Sequence, residues 1–297
     1  GVCMIDGVRV SLGGQLDVRR LGFGAMRITG PGVWGEPADR DEAIRTLRRA
    51  VELGVDFIDT ADSYGPFVSE DLIAEALYPY PADLVIATKG GMVRSGPGEW
   101  APVGRPEYLR QCVEMSLRRL RVDRIDLYQF HRPDPRVPIV EGLGALREMH
   151  EAGKIRLIGL SNFTAPQLEE ARTVVDPVSV QNRYNIVDRV QEPVLDICER
   201  DGIVFIPWAP IASGRMARAG GPLDTLAAAH GATISQLCIA WLLHRSPVML
   251  AIPGTSKVAH LEQNVAAAEL SIPGETWVKL EADAQAHLAS AAVAMAE

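Results

Sequence analysis

Short apolar runs rich in Val, Ile and Phe alternate along this chain with longer stretches in which apolar residues recur at helical spacing. Eight such runs stand out: Leu21 to Gly24, Val55 to Ile58, Leu84 to Thr88, Ile125 to Phe130, Ile155 to Leu160, Val178 to Val180, Ile203 to Ile206 and Val248 to Ile252. Runs this short and this apolar predict strands buried on both faces, the pattern of repeated βα units around a parallel sheet. Between them, Arg105-Pro106 and Val137-Pro138 put proline near a first helical turn, and Thr164 is able to cap the segment that follows it. Leu109, Val113, Ser116, Leu117 and Leu120 fall on one helical face with arginines opposite, so that helix has a side to bury.

Eight strand–helix units, with no Gly/Ser-rich linker and no break in composition, predict one (β/α)8 barrel domain over residues 1–297. The alternative is an open, doubly wound sheet in two domains, which the length alone permits. Gly13-Gly14 between two short extended segments predicts a β-hairpin over residues 8–18, ahead of the first barrel strand. The chain after Pro273 predicts a C-terminal helix outside the repeat.

Composition narrows the function. Thirty basic against 38 acidic residues give a net charge of −8, which argues against a nucleic-acid or anionic-membrane partner. The most apolar stretch, Leu237 to Leu243, is far too short to span a bilayer, and the N-terminus has no charged segment followed by an apolar core. A cytoplasmic protein is expected. Cys3, Cys112, Cys198 and Cys238 are far apart and form no CxxC pair, so neither a zinc site nor a disulfide framework is predicted.

In a parallel barrel the chemistry sits at the carboxyl ends of the strands, and here polar residues close the apolar runs. Asp59 follows the second, Lys89 the third and His131 the fourth; Ser161-Asn162, Gln181 and Trp208 close three later ones. A single Asp, Lys or His at a strand end is usually a solvated or structural residue. Three at the ends of successive strands converge on one mouth if the chain closes into a barrel. Tyr64 lies five residues beyond Asp59, in the loop over that mouth. With an ordinary pKa of about 10 a tyrosine is a poor acid near neutrality, so Lys89 is the expected cation that tunes it. Asp59 would hold Lys89 in place, and His131 would donate to a substrate carbonyl or assist proton transfer.

The segments Asp59-Thr60-Ala61-Asp62-Ser63-Tyr64-Gly65, Thr88-Lys89, Phe130-His131-Arg132-Pro133-Asp134 and Gly159-Leu160-Ser161-Asn162 resemble the aldo-keto reductase superfamily, over about Leu21 to Asn264. The resemblance implies a cytosolic (β/α)8 enzyme that binds NADPH across the barrel mouth and reduces an aldehyde or ketone. Asp59, Tyr64, Lys89 and His131 fill the positions of that family's catalytic tetrad in order. By the same resemblance Ser161, Asn162 and Gln181 hold the nicotinamide carboxamide, Gly24, Ala25 and Met26 line the nicotinamide, and Trp208 stands where many members stack a tyrosine. Ala209, Pro210, Ile211, Ser213 and Gly214 cross the pyrophosphate. Ile252, Gly254, Thr255, Ser256, Lys257, Gln263 and Asn264 hold the adenosine end, with the hydroxyls and Lys257 suited to a 2′-phosphate. His260 stands where some relatives carry a second cation, which leaves NADH open beside NADPH. There is no complete Rossmann fingerprint after Gly22-Phe23-Gly24 and no Walker motif.

Within the superfamily, Gly30-Pro31-Gly32-Val33-Trp34-Gly35, Tyr64-Gly65-Pro66 and Ala76-Leu77-Tyr78-Pro79-Tyr80 look most like bacterial pyridoxal reductases. Trp34 and Trp100, in loops after the first and third strands, are expected to form an aromatic wall beside Tyr64 and His131 for a small carbonyl substrate. Two other readings stay open: an aldolase or lyase using Lys89 as a Schiff base, and a nucleotide-sensing barrel with little turnover.

Overall fold

Gly13 and Gly14 adopt left-handed backbone angles, φ 60° and 67°, and the reversal they make pairs β1 (Arg9–Leu12) with β2 (Leu16–Arg19) in antiparallel register. Two successive left-handed residues come cheaply only from glycine. The computed structural model describes residues 9–211 and 216–296, with side chains as far as residue 289. The hairpin buries Leu12 and Val18 completely, among Phe57, Val85, Leu127, Leu157 and Val204 from the starts and middles of the strands that follow. It therefore plugs the amino-terminal end and leaves the opposite end for chemistry.

Seven parallel strands alternate with helices: β3 (Phe23–Gly24), α1 (Arg40–Glu52), β4 (Phe57–Asp59), α2 (Val68–Leu77) and β5 (Val85–Gly90) lead into a two-stranded excursion, β6 (Met92–Gly96) and β7 (Glu99–Pro102). Then come α3 (Pro106–Leu120), β8 (Ile125–Phe130), α4 (Ile139–Glu151), β9 (Ile155–Ser161), α5 (Ala165–Ala171), β10 (Ser179–Arg183), α6 (Glu192–Asp201) and β11 (Val204–Trp208). The helical remainder is α7 (Pro222–Ala229), α8 (Ile234–Arg245), α9 (Val258–Ala266) and α10 (Gly274–Ala296). The sheet order β11-β10-β9-β8-β5-β4-β3 follows the chain, as repeated right-handed crossovers require.

The eighth apolar run forms no regular strand, yet it closes the ring. Met249 bridges Phe205 of β11 on one side, and Ala251 bridges Leu21, just before β3, on the other, both in parallel. Main-chain bonds from Phe205 N to Val248 O, Leu250 N to Phe205 O, Ala251 N to Arg20 O and Gly22 N to Ala251 O (2.8–2.9 Å) complete the seam. The fold is thus a closed (β/α)8 barrel and not the open sheet.

The helices bury the faces that their spacing predicts. On α3, Leu109, Val113, Ser116, Leu117 and Leu120 all point inward. Pro106 opens that helix, Pro138 is the N-cap of α4, and Thr164 closes a reciprocal capping box with Gln167 at the start of α5. The C-terminal α10 is anchored through buried Trp277 and Leu280, and Glu281 accepts from Trp241 Nε1 of α8 at 3.0 Å. Cys112, Cys198 and Cys238 are buried, while Cys3 lies outside the described residues. No single helix among the described residues is long and apolar enough to cross a membrane, and no group of three or more His, Cys, Asp or Glu among them is placed to hold a metal.

Candidate active site

Asp59 ends β4, Lys89 is the penultimate residue of β5, and His131 follows β8, so adjacent strands deliver all three to one mouth. Lys89 Nζ donates to Asp59 Oδ2 at 2.7 Å, to Thr60 O at 3.1 Å and to the Tyr64 hydroxyl at 3.0 Å. Its ammonium also lies 4.9 Å from the Tyr64 ring centroid. Side-chain exposure is only 1% for Lys89 and 2% for Asp59, so this is a buried ion pair that must be well hydrogen-bonded to persist.

Gln129 and Gln181 supply that support. Their amides donate to Asp59 Oδ1 at 2.8 and 2.9 Å, and Gln181 also donates to Gln129 Oε1 at 3.0 Å. Gln129 escaped the sequence reading. The available signal was a polar residue inside the apolar β8, directly opposite Lys89 in the parallel register. Gln181 was expected beyond the end of its strand but lies within β10, with its amide nitrogen committed to the carboxylate.

The loop carrying Tyr64 is tied to β5 through Asp62 N to Lys89 O (3.2 Å) and to α2 through Ser69 N to Tyr64 O (3.1 Å). Beneath it, Glu70 is fully buried and accepts from Thr88 Oγ1 at 2.9 Å and Arg119 Nε at 2.8 Å. Burial and the nearby Glu70, opposed by Arg119, push the Asp62 carboxyl well above the usual carboxylate range.

The electrostatics correct one expectation. Lys89 was expected to tune Tyr64 downward; its attraction does act in that direction, but the larger effect of burial holds the phenol above its usual value. Tyr64 is therefore firmly protonated. Burial alone would lower Lys89, yet Asp59 and Tyr64 together keep the ammonium above its ordinary value. His131 is pushed well below the usual histidine value, first by burial, then by Lys89, Arg132 and Arg94, and so is neutral. Ser63 Oγ lies 3.4 Å from its Nδ1.

A depressed histidine has a signature in stability. Below about pH 6.5 the unfolded chain binds a proton that folded His131 does not, so its contribution is complete above that pH and falls as the pH is lowered. His131→Gln is expected to flatten the acid-side decline in unfolding free energy, by up to about 1.4 kcal/mol per pH unit, as read by urea unfolding at each pH. Parallel curves for the two proteins between pH 7 and 5 would contradict it.

Trp34 and Trp100 both approach Arg94, but Trp100 lies on β7 of a hairpin and not in a loop. Its ring stands edge-on to Tyr64 (centroids 6.2 Å, 83°) and to His131 (6.3 Å, 68°), and Tyr64 meets His131 in the same manner at 6.1 Å. The Arg94 guanidinium lies 3.6 Å over Trp100 and 5.7 Å from Trp34.

Among the described residues, those predicted to hold the cofactor lie at strand ends and in the segments that follow them. Ser161 ends β9, and Asn162, at φ 60°, donates to His131 O (3.0 Å) and Ser161 Oγ (3.1 Å) and accepts from Trp208 Nε1 (3.1 Å). Gly24 and Gly254 pass so closely that a Cβ on either would come within 2.4 Å of the other segment's carbonyl oxygen, which only glycine permits. Ala25 is buried and Met26 half-buried beside them. Ala209 and Pro210 are half-buried and Ile211 is exposed; Ser213 and Gly214 lie outside the described residues. Thr255 Oγ1 accepts from Lys257 N at 3.1 Å, Ser256 adjoins it, and Lys257 is the N-cap of α9, which has no side-chain cap. Gln263 and Asn264 lie on that helix, and Ile252 leads toward it.

Residues 20–283 match the model of the aldo/keto reductase family. An uncharacterized oxidoreductase of Schizosaccharomyces pombe is 53% identical over 268 residues, covering 90% of this chain and 87% of that protein. Pyridoxine 4-dehydrogenase of Escherichia coli is 43% identical over 275 residues, covering 90% and 96%. The crystal structure of an aldo-keto reductase from Klebsiella pneumoniae in complex with NADPH is similar with a TM-score of 0.78 and 26% identity, covering 93% of this chain and 94% of that one.

Proposed function

The chain belongs to the aldo/keto reductase family and is an NAD(P)H-dependent oxidoreductase, and from that premise we propose that it reduces pyridoxal or a related ring-bearing aldehyde, with Tyr64 as proton donor. The observation that carries this reading is the 3.0 Å hydrogen bond from a buried, charged Lys89 to the Tyr64 hydroxyl, backed by Asp59. A bound nicotinamide supplies the hydride. The phenol of Tyr64 gives its proton to the carbonyl oxygen, and Lys89 stabilises the phenolate left behind. Asp59, with Gln129 and Gln181, keeps the ammonium in place. In the tautomer that accepts from Ser63 at Nδ1, neutral His131 carries its proton on Nε2 and offers it as a hydrogen bond to the same carbonyl.

NADPH is the cofactor favoured by the donor set. Ser161 offers its hydroxyl and Gln181 its Oε1 to a carboxamide, the amide nitrogens of Gln181 and Asn162 being bonded within the protein, and Trp208 donates to Asn162. At the other end Thr255, Ser256, Lys257 and the first turn of α9, where the Glu42 carboxylate now accepts from Val258 N, suit a phosphate. Lys257 now pairs with Glu42 at 2.9 Å, an exposed contact that a dianion displaces at little cost.

The protonated state of Lys89 disfavours a Schiff base, because its nitrogen has no free lone pair while Asp59 holds the charge. The direct test follows NADPH and NADH oxidation with pyridoxal, other ring aldehydes and compact aldehydes. Turnover of at least one carbonyl, faster with NADPH, is expected. Absence of turnover with every carbonyl, or a borohydride-trapped adduct on Lys89 without NADPH consumption, would overturn the reading.

A further inference from the structure

Arg94, on the excursion between β5 and α3, spends its guanidinium entirely on main-chain carbonyls. Nε donates to Glu99 O at 2.7 Å; Nη1 donates to Val33 O at 2.6 Å and Ser63 O at 2.8 Å; Nη2 donates to Gly32 O at 2.7 Å and Gly96 O at 3.3 Å. These carbonyls belong to three separate mouth segments: the loop after β3, the loop that carries Tyr64, and the β6–β7 hairpin. The same plane lies over Trp100 at 3.6 Å, the ring that stands edge-on to both Tyr64 and His131.

We infer that Arg94 is a positioning residue which, by clamping these three segments around Trp100, selects ring-bearing carbonyl substrates over compact ones; the inference rests on the carbonyl-reductase reading above. A compact aldehyde needs only the Tyr64 hydroxyl and His131. A ring-bearing aldehyde also needs a flat wall at a fixed distance from that hydroxyl, and Arg94 fixes that distance. Its bond to Ser63 O holds the residue next to Tyr64, while its stacking holds the wall. Only a planar fork supplies five donors and a stacking face together; a lysine supplies three donors and no plane. The hairpin tip adds to the fit, because Gly98 N donates to Gly32 O at 2.9 Å and a Cβ on Gly32 would meet Gly98 N at 2.8 Å.

The test compares wild type, Arg94→Lys and Arg94→Met with pyridoxal and with propionaldehyde, alongside the NADPH dissociation constant. The expected result is a loss of about tenfold or more in kcat/KM for pyridoxal, in the range that misplacement of a substrate by about 1 Å produces. Most of it should appear in KM, with propionaldehyde changed by no more than about threefold, the NADPH constant unmoved and no rescue by lysine. A Trp100→Leu variant, which removes the wall and leaves the clamp, should lose the same selectivity and serves if the Arg94 variants do not fold. Equal losses for both aldehydes, full rescue by lysine, or an unchanged ratio in Trp100→Leu would overturn the inference alone. Wild-type enzyme that reduces no carbonyl, ring-bearing or compact, would overturn the proposed function, and this inference with it.

Discussion

Tyr64→Phe is expected to lower kcat by about 10²- to 10⁴-fold, the usual contribution of a positioned general acid, while melting temperature and NADPH affinity stay close to wild type. The substitution removes one hydroxyl from a site that is otherwise intact. Lys89 keeps its bonds to Asp59 and Thr60 O, and the phenyl ring keeps its edge contacts with Trp100 and His131. Loss of a single hydrogen bond changes stability by about 1 kcal/mol. Rate and stability should therefore separate widely. Stopped-flow measurement of single-turnover NADPH oxidation isolates the chemical step, and a variant turning over at the wild-type rate would remove Tyr64 from the proton path.

Lys89→Met should do the opposite and damage both. Asp59 would be left as a buried carboxylate facing two amides and no cation, and breaking such a pair costs about 3–5 kcal/mol. Adding Asp59→Asn to Lys89→Met removes the stranded charge, so the double variant should regain much of the lost stability in urea or thermal unfolding. Activity should not return, because nothing then stabilises the Tyr64 phenolate. A single variant as stable as wild type would show that the ion pair does not support the fold, and a double variant with restored turnover would refute the role of Lys89 in the proton step.

Much of this centre was readable before any coordinates because a barrel turns a one-dimensional regularity into a three-dimensional one. A polar residue at the end of an apolar run becomes a residue at the mouth, which is why Asp59, Lys89 and His131 could be grouped although up to 72 positions separate them. The N-terminal hairpin was equally plain, since Gly13-Gly14 announces its own backbone angles. What stayed hidden depended on side chains reaching across the ring. Gln129 resembles an interior strand residue until the register sets it beside Lys89. Arg94 lies in a segment without periodicity, and its partners, Gly32, Val33 and Ser63, contribute main-chain oxygens, to which sequence is nearly blind. The direction of the Tyr64 shift was missed because depth of burial, which outweighs the nearby cation, is a property of the whole packed shell.

The seam at which the ring closes also has a consequence for how the molecule is held together. The last apolar run joins its neighbours through isolated bridges at Met249 and Ala251, where the other strands share continuous ladders, and it ends at Ile252 and runs on into Gly254 and Lys257. Gly24 N reaches across to Pro253 O at 3.3 Å on the other side of the closure. A nucleotide gripping this stretch would act as a rivet through the weakest joint of the ring. Each bound molecule would lock the hoop as well as fill the site, and resistance to opening would rise with the logarithm of nucleotide concentration once that exceeds the dissociation constant.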